Sequence, residues 1–303
     1  MSLADYYPYR SAESRDLCLR YLEGLAAERW PIASEARLIP TTFGATFARI
    51  SGPPDAPTLL LLHGAGSTSL MWAPNVAALS RDFRTVAVDQ VGEFGGSACT
   101  QPPDTLPALM TWLDDLIAAL VPPGGRVVLI GMSYGGALAA HYALHAPQRL
   151  DKVVLLAPAS TVLRPPAAFW LRLLVLAIVR KRGLAWFFRW IFPRLARTDP
   201  KSLDPIVEQL SLNLKHVQRH HPPIPPVFSD AQWRAFRPHT LFLSGEREVI
   251  YSAPAAVARL RRLAPQIATG ILPDCGHDLT FAQAALVNER ILRFLQAPAG
   301  AAS

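Results

Sequence analysis

The sequence predicts an α/β domain: a mostly parallel sheet flanked by helices on both faces, with a helical insertion late in the chain. Three observations lead there. Short apolar runs of strand length alternate with longer stretches of helical spacing, the pattern of parallel strands joined by crossover helices. About 80 residues of helical, aromatic and proline-rich sequence then break that rhythm. Finally, one serine in "LIGMSYGGALAA" (129–140) stands between glycines where an apolar run stops and a helix starts.

Taken in order, residues 10–29 show helical spacing, with Leu17, Tyr21, Leu25 and Ala26 among charges, and Trp30-Pro31 ends it. Extended runs at 36–41 and 45–51 around Phe43-Gly44 read as a hairpin. "GPPDAP" (52–57) is a turn that launches "TLLLLHG", too short for an independent helix and suited to a strand buried on both faces. Apolar runs at 84–88, 126–131, 152–157, 240–244 and 266–272 read as further strands. Helical stretches fall at about 74–81, 105–120, 134–146 and 253–264, with a last one at 281–296. The core is therefore assigned to 1–158 and 239–303, and the insertion to 159–238. Within the insertion, the longest uncharged run of "AAFWLRLLVLAIVRKRGLAWFFRWIF" (167–192) is 173–179. A spanning helix needs roughly 18–20 residues, so no membrane insertion is expected and two amphipathic helices are. "HHPPIPPVF" (220–228) cannot be regular helix and returns the chain to the core.

Half of the 303 residues are hydrophobic and only 17% are charged, which supports a sizeable core and excludes wholesale disorder. Three scattered cysteines (Cys18, Cys99, Cys275) are too few for a disulfide framework or a zinc site. The N-terminus, "MSLADYYPYRSAESRD", has acids and tyrosines where a signal peptide needs a basic start and an apolar core. Both features point to the cytoplasm. The net charge of +7 is unevenly placed: residues 159–238 hold 13 Lys and Arg against 4 Asp and Glu, and the remainder 17 against 19. Nucleic-acid proteins share such a bias, as do solvated helix faces and lids over acidic or amphiphilic substrates. No nucleic-acid partner is expected here, and the sequence sets no oligomeric state.

Ser133 follows the apolar "RVVLIG" and precedes the helical "GALAAHYALHA", the context in which G-x-S-x-G lifts a hydroxyl above a sheet edge. A serine needs a base. His277, in "LPDCGHDL" after the last strand, lies at the same sheet edge. His63, in "LLLLHGAG", is better suited to holding its loop. His216, His220 and His221 sit together in the insertion, but no carboxylate completes a metal site, so none is expected. The base needs an acid. "LFLSGEREVIY" offers Glu246 and Glu248, of which Glu248, further into the loop, is preferred. Oxyanion donors would be the backbone N–H groups of Tyr134, at the helix start, and Ala65, in the small-residue loop "HGAGSTSLMW". That loop lacks the lysine and glycine spacing of a phosphate-binding loop.

The motifs "LLLLHGAGSTSLMW", "AVDQVGEFGGS", "GMSYGG", "GEREVI" and "DCGH", spread over 59–277, resemble the α/β-hydrolase family. The resemblance implies an eight-stranded core, a helical cap inserted after the sixth strand, and catalysis by Ser133, Glu248 and His277 without a cofactor. "LIPTTFGATFARISGPPDAP" and "GEREVIY…GHDL…VNERILRFL" look like a bacterial carboxylesterase branch of it. The acid, commonly Asp in the family, is Glu248 here. Having Ser rather than Asp as nucleophile counts against haloalkane dehalogenase and epoxide hydrolase chemistry. Ala65 also replaces the halide-binding Asn of dehalogenases. The expected activity is hydrolysis of a carboxylic ester or thioester through an acyl-enzyme on Ser133, with an apolar or amphiphilic acyl substrate. Phe169, Trp170 and Trp186 of the cap, with Ser67, Met71 and Trp72 after the oxyanion loop, are the candidate substrate contacts. Carbon–carbon hydrolysis, lactonase or cyclase chemistry with the same triad, or non-catalytic binding on the fold, are the alternatives.

Overall fold

The computed structural model describes residues 6–297 apart from 180 and 219–221. His220 and His221 thus lie outside the described residues. Strand formation is clearest in Thr58–Leu62, where every residue is buried and the side chains divide between two cores. Leu59 and Leu61 pack with Val128 and Ile130 on one face, while Leu60 and Leu62 join Leu129 on the other. This two-residue alternation is what a strand covered on both sides requires.

The strands are β1 (Glu35–Thr41), β2 (Gly44–Ser51), β3 (Thr58–Leu62), β4 (Arg84–Val88), β5 (Ala98–Cys99), β6 (Val127–Met132), β7 (Leu150–Leu156), β8 (Thr240–Gly245) and β9 (Ala268–Leu272). They form one sheet in the order β1-β2-β4-β3-β6-β7-β8-β9, with β5 paired to β2. β1 and β2 are antiparallel and β2 meets β4 antiparallel; from β4 to β9 the pairing is parallel. All eight expected strands are present within two residues of their bounds. The ninth, β5, is only two residues long, too short to carry a periodic signal.

The helices are α1 (Ala12–Arg29), α2 (Ala73–Leu79), α3 (Leu106–Leu120), α4 (Tyr134–His145), α5 (Ala167–Val179), α6 (Lys181–Ile191), α7 (Leu195–Thr198), α8 (Asp204–His216), α9 (Asp230–Ala235), α10 (Ala253–Leu263), α11 (Leu279–Ala282) and α12 (Ala284–Gln296). α1 starts where the Ser11 side chain accepts the Ser14 N–H, satisfying one of the free donors of a first turn. α1, α2 and α12 cover the Leu59 face of the sheet, and α3, α4 and α10 the Leu60 face. The final helix, expected as one piece, is broken at Gln283 into α11 and α12.

Helices α5 to α9 lie between β7 and β8 and are tied down at the strand ends. Asp278 Oδ2 accepts the backbone N–H groups of Arg194 and Leu195 at 2.9 and 2.8 Å. Asp274 pairs with Arg194 at 3.2 Å and Arg197 at 2.8 Å. Arg259 reaches Phe228 O at 2.9 Å and Asp230 at 2.7 Å. The expectation of two amphipathic helices holds for α6, which buries Leu184, Phe187 and Ile191 and exposes Arg189. It fails for α5, where Phe169, Leu173 and Leu176 pack inward while Leu171 and Leu174 are exposed. Among the described residues no helix is long and apolar enough to cross a membrane.

Candidate active site

Ser133 joins β6 to α4 with φ 54° and ψ −114°, a conformation costing a non-glycine residue about 1–3 kcal/mol. Surrounding bonds hold it there. Ser133 N–H donates to Leu156 O at 2.9 Å, and its carbonyl accepts the N–H groups of Ala137 and Ala159, each at 3.0 Å. The flanking glycines are required by space. A Cβ on Gly131 would stand 2.2 Å from Gly135 O, and one on Gly135 2.4 Å from Leu62 O. The sharp turn thus depends on the absence of side chains at both positions.

The loop after β3 runs beside this turn; a Cβ on Gly64 would lie 3.3 Å from Ser133 Cβ. His63 fixes the loop, as the sequence suggests. Gln90 N–H donates to His63 Nε2 at 3.0 Å, so the neutral ring carries its proton on Nδ1 and donates to Gly64 O at 2.8 Å. Most of the loop's own N–H groups are engaged: Gly64 with Met71 Sδ at 3.3 Å, Gly66 with Glu93 Oε2 at 3.1 Å, and Ser67 with Gly64 O at 3.2 Å. Among the described residues the Ala65 N–H has no acceptor, and neither has that of Tyr134 at the open first turn of α4. Two free donors therefore flank the serine. Tyr134 also ties the turn to the insertion, its hydroxyl donating to Pro223 O at 3.0 Å.

At the same edge of the sheet, beyond the ends of β8 and β9, His277 Nδ1 lies 2.9 Å from Glu248 Oε2, with side chains 6% and 0% exposed. Glu248 Oε1 accepts the N–H groups of Val249 and Ile250 at 2.8 and 2.9 Å. Because a carboxylate only accepts, the imidazole proton sits on Nδ1 and Nε2 is left bare. Glu246 plays a different part: it accepts the Asp274 N–H at 3.0 Å in an exposed turn and bonds no histidine. Ser133 Oγ is not hydrogen-bonded to His277, a contact that commonly tightens only when substrate is bound.

The expected substrate contacts are distributed unevenly. Ser67 is half-buried in the loop, and Phe169 is half-buried against Trp170 and Trp190. Met71 is buried beneath the loop as acceptor of the Gly64 N–H. Trp72 is fully buried in the core beneath α2, so it borders no entrance; its apolar bulk goes to packing. Trp170 and Trp186 each remain 46% exposed, with the Arg172 guanidinium over the Trp186 ring. Two residues escaped sequence reasoning. Phe192, just after α6, stacks on His277 with ring centroids 6.5 Å apart. Glu93 is a buried acid whose second oxygen has no partner among the described residues, and burial pushes its carboxyl above the ordinary range. Its glycine-rich context, "GEFGGS", was the available signal. Among the described residues no cluster of His, Cys, Asp and Glu could hold a metal.

Residues 59–290 match the model of the alpha/beta hydrolase family. The "uncharacterized carboxylesterase nap" of Bacillus subtilis is 34% identical over 89% of this chain and 90% of its own length. Carboxylesterase YbfK of the same organism is 33% identical over 88% and 89%. The crystal structure of naproxen esterase from Bacillus subtilis superposes with a TM-score of 0.85 at 32% identity, covering 95% of this chain and all of that one. With sheet order, serine turn and full-length relatives in agreement, the chain belongs to the alpha/beta hydrolase family.

Proposed function

We propose that the protein is a serine carboxylesterase acting on small-molecule esters. The observation that supports this reading is what shares one sheet edge with Ser133: a histidine oriented by a buried glutamate, and two N–H groups by the serine turn that have no acceptor among the described residues. His277 Nε2 takes the Ser133 Oγ proton as the oxygen attacks the acyl carbonyl. The oxyanion of the tetrahedral adduct is met by the N–H groups of Ala65 and Tyr134. The carbon–oxygen bond to the alcohol then breaks, and His277 gives its proton to the leaving oxygen. Water repeats the sequence on the acyl-enzyme: His277 takes its proton, the carboxylic acid departs, and Ser133 regains its hydrogen.

The carboxylesterase activity in the names of the two Bacillus subtilis relatives, carried to this chain, fits that chemistry. Residues 159–238 serve as a cap over the site, and the rings of Phe188, Phe192 and Phe281 near His277 suit an apolar acyl group or ring. Three buried free cysteines suit the cytoplasm. A fluorophosphonate probe should label the wild type and not Ser133→Ala, and a panel of nitrophenyl esters of increasing acyl length should be turned over. Equal labelling of both proteins would overturn the assignment.

A further inference from the structure

Helix α5 is apolar on two sides. Phe169, Leu173 and Leu176 pack against the core. On the other side, Trp170, Leu171, Leu174 and Val175 form a stripe at helical spacing, with Leu171 61% and Leu174 59% exposed. Trp186 of α6 is a further exposed ring. Among the described residues these five are half of the ten large hydrophobic side chains left exposed; the other five are scattered along the chain. Soluble proteins seldom leave such a continuous apolar strip uncovered without a use for it.

Along the sequence, the charge on either side of the strip has one sign. Residues 159–198 contain eight Lys and Arg and no Asp or Glu. Arg194 and Arg197 are engaged by Asp274, and Arg172 lies over the Trp190 ring. Arg164 and Arg189 are exposed, and in sequence the run Arg180-Lys181-Arg182 falls between the stripe and Trp186. A tryptophan-bearing apolar face in a stretch of sequence that carries only cations complements a surface with an apolar interior and negative headgroups. The geometry points to the α5–α6 hairpin as a docking surface for an anionic phospholipid bilayer. Leu171, Leu174 and Trp170 enter the headgroup boundary, and the exposed Arg164 and Arg189 pair with lipid phosphates. A second copy of the chain fits less well, because a two-fold contact through this face would bring two acid-free cationic stretches together.

The hairpin is also joined to the site. The carbonyl of Ile191, the last residue of α6, accepts the backbone N–H of His277 at 3.2 Å, and Phe192 stacks on the imidazole. Docking would therefore place the catalytic edge of the sheet close to the lipid surface. The inference concerns where the protein works and does not depend on its being an esterase.

The test is vesicle flotation of the Ser133→Ala protein, which removes any lipid turnover from the readout. Vesicles of phosphatidylcholine mixed with phosphatidylglycerol should carry the protein, phosphatidylcholine alone should carry little, and added salt should release it. Adding Leu171→Ser and Leu174→Ser should lower the partition about tenfold or more. In the wild-type background the same pair should leave circular dichroism and hydrolysis of a short soluble ester unchanged. The inference is overturned by absence of flotation at low salt, by equal flotation with both vesicles, or by partition indifferent to the paired substitution. A concentration-dependent dimer abolished by that pair, without vesicle binding, would assign the face to a second copy instead. Absence of ester turnover would refute the esterase reading and leave the flotation result standing.

Discussion

Replacing Glu248 with glutamine exchanges one carboxylate oxygen for an NH2 group, and the surrounding bonds dictate which of the two positions it must take. Oε1 accepts two backbone N–H groups, from Val249 at 2.8 Å and Ile250 at 2.9 Å. An amide offers a single acceptor oxygen, and those two donors claim it. The NH2 group is then forced toward His277 Nδ1, which lies 2.9 Å from Oε2 in the native protein. To meet a donor, Nδ1 must give up its hydrogen, so the ring proton moves to Nε2, the nitrogen that should take the proton of Ser133. Triads held in the wrong tautomer lose about 10⁴-fold in kcat, equal to roughly 5.5 kcal/mol of transition-state stabilisation. Glu246→Gln is the matched control. Its carboxylate accepts one N–H, from Asp274, in an exposed turn, and an amide oxygen can do the same, so kcat should stay within about twofold. Steady-state kinetics on a nitrophenyl ester, with circular dichroism to confirm folding, measures both variants. If Glu248→Gln keeps its kcat within tenfold of wild type, or Glu246→Gln falls as far, the tautomer argument is wrong.

Two further outcomes follow from the site. Gly135→Ala places a Cβ 2.4 Å from Leu62 O and 2.6 Å from His63 O. Such overpacking costs about 1–3 kcal/mol or more, so Tm should fall by several degrees and kcat with it. Gly24→Ala in α1, where nothing lies within 4 Å, should hold or raise Tm, and a Gly135→Ala protein as stable as that control would refute the steric account. Glu93→Gln keeps an acceptor for the Gly66 N–H but cannot ionise. Burial raises the native carboxyl's pKa above 4.5, so the folded state binds this proton more tightly than the unfolded chain. That part of the wild-type stability is complete at acid pH and is lost as pH rises above the ordinary carboxylate range. Thermal melts should show the variant gaining on wild type with rising pH; a difference that is flat or shrinks would refute the assignment.

What could be read from the residues alone was whatever is encoded within a few positions of chain. Ser133 was legible because a strand, two glycines and a helix follow one another in twelve residues. His63 was legible because it ends an apolar run, His277 because its loop follows the last one, and Glu248 because the loop after β8 had only two acids to offer. Glu93 and Phe192 were not, since each owes its place to a partner distant in sequence: Gly66 lies 27 residues from Glu93, and His277 is reached only through the insertion. Trp72 was misread for the same reason, as a tryptophan beside a loop gives no sign of which layer will bury it. The outer stripe of α5 marks the limit most clearly. Its apolar residues are plain in the sequence, and helical periodicity assigns them to faces, but periodicity assumes that every apolar face will be covered. Only the packing of α5 on α6 and the core shows that one of its two faces was used, leaving Leu171 and Leu174 for a partner outside the chain.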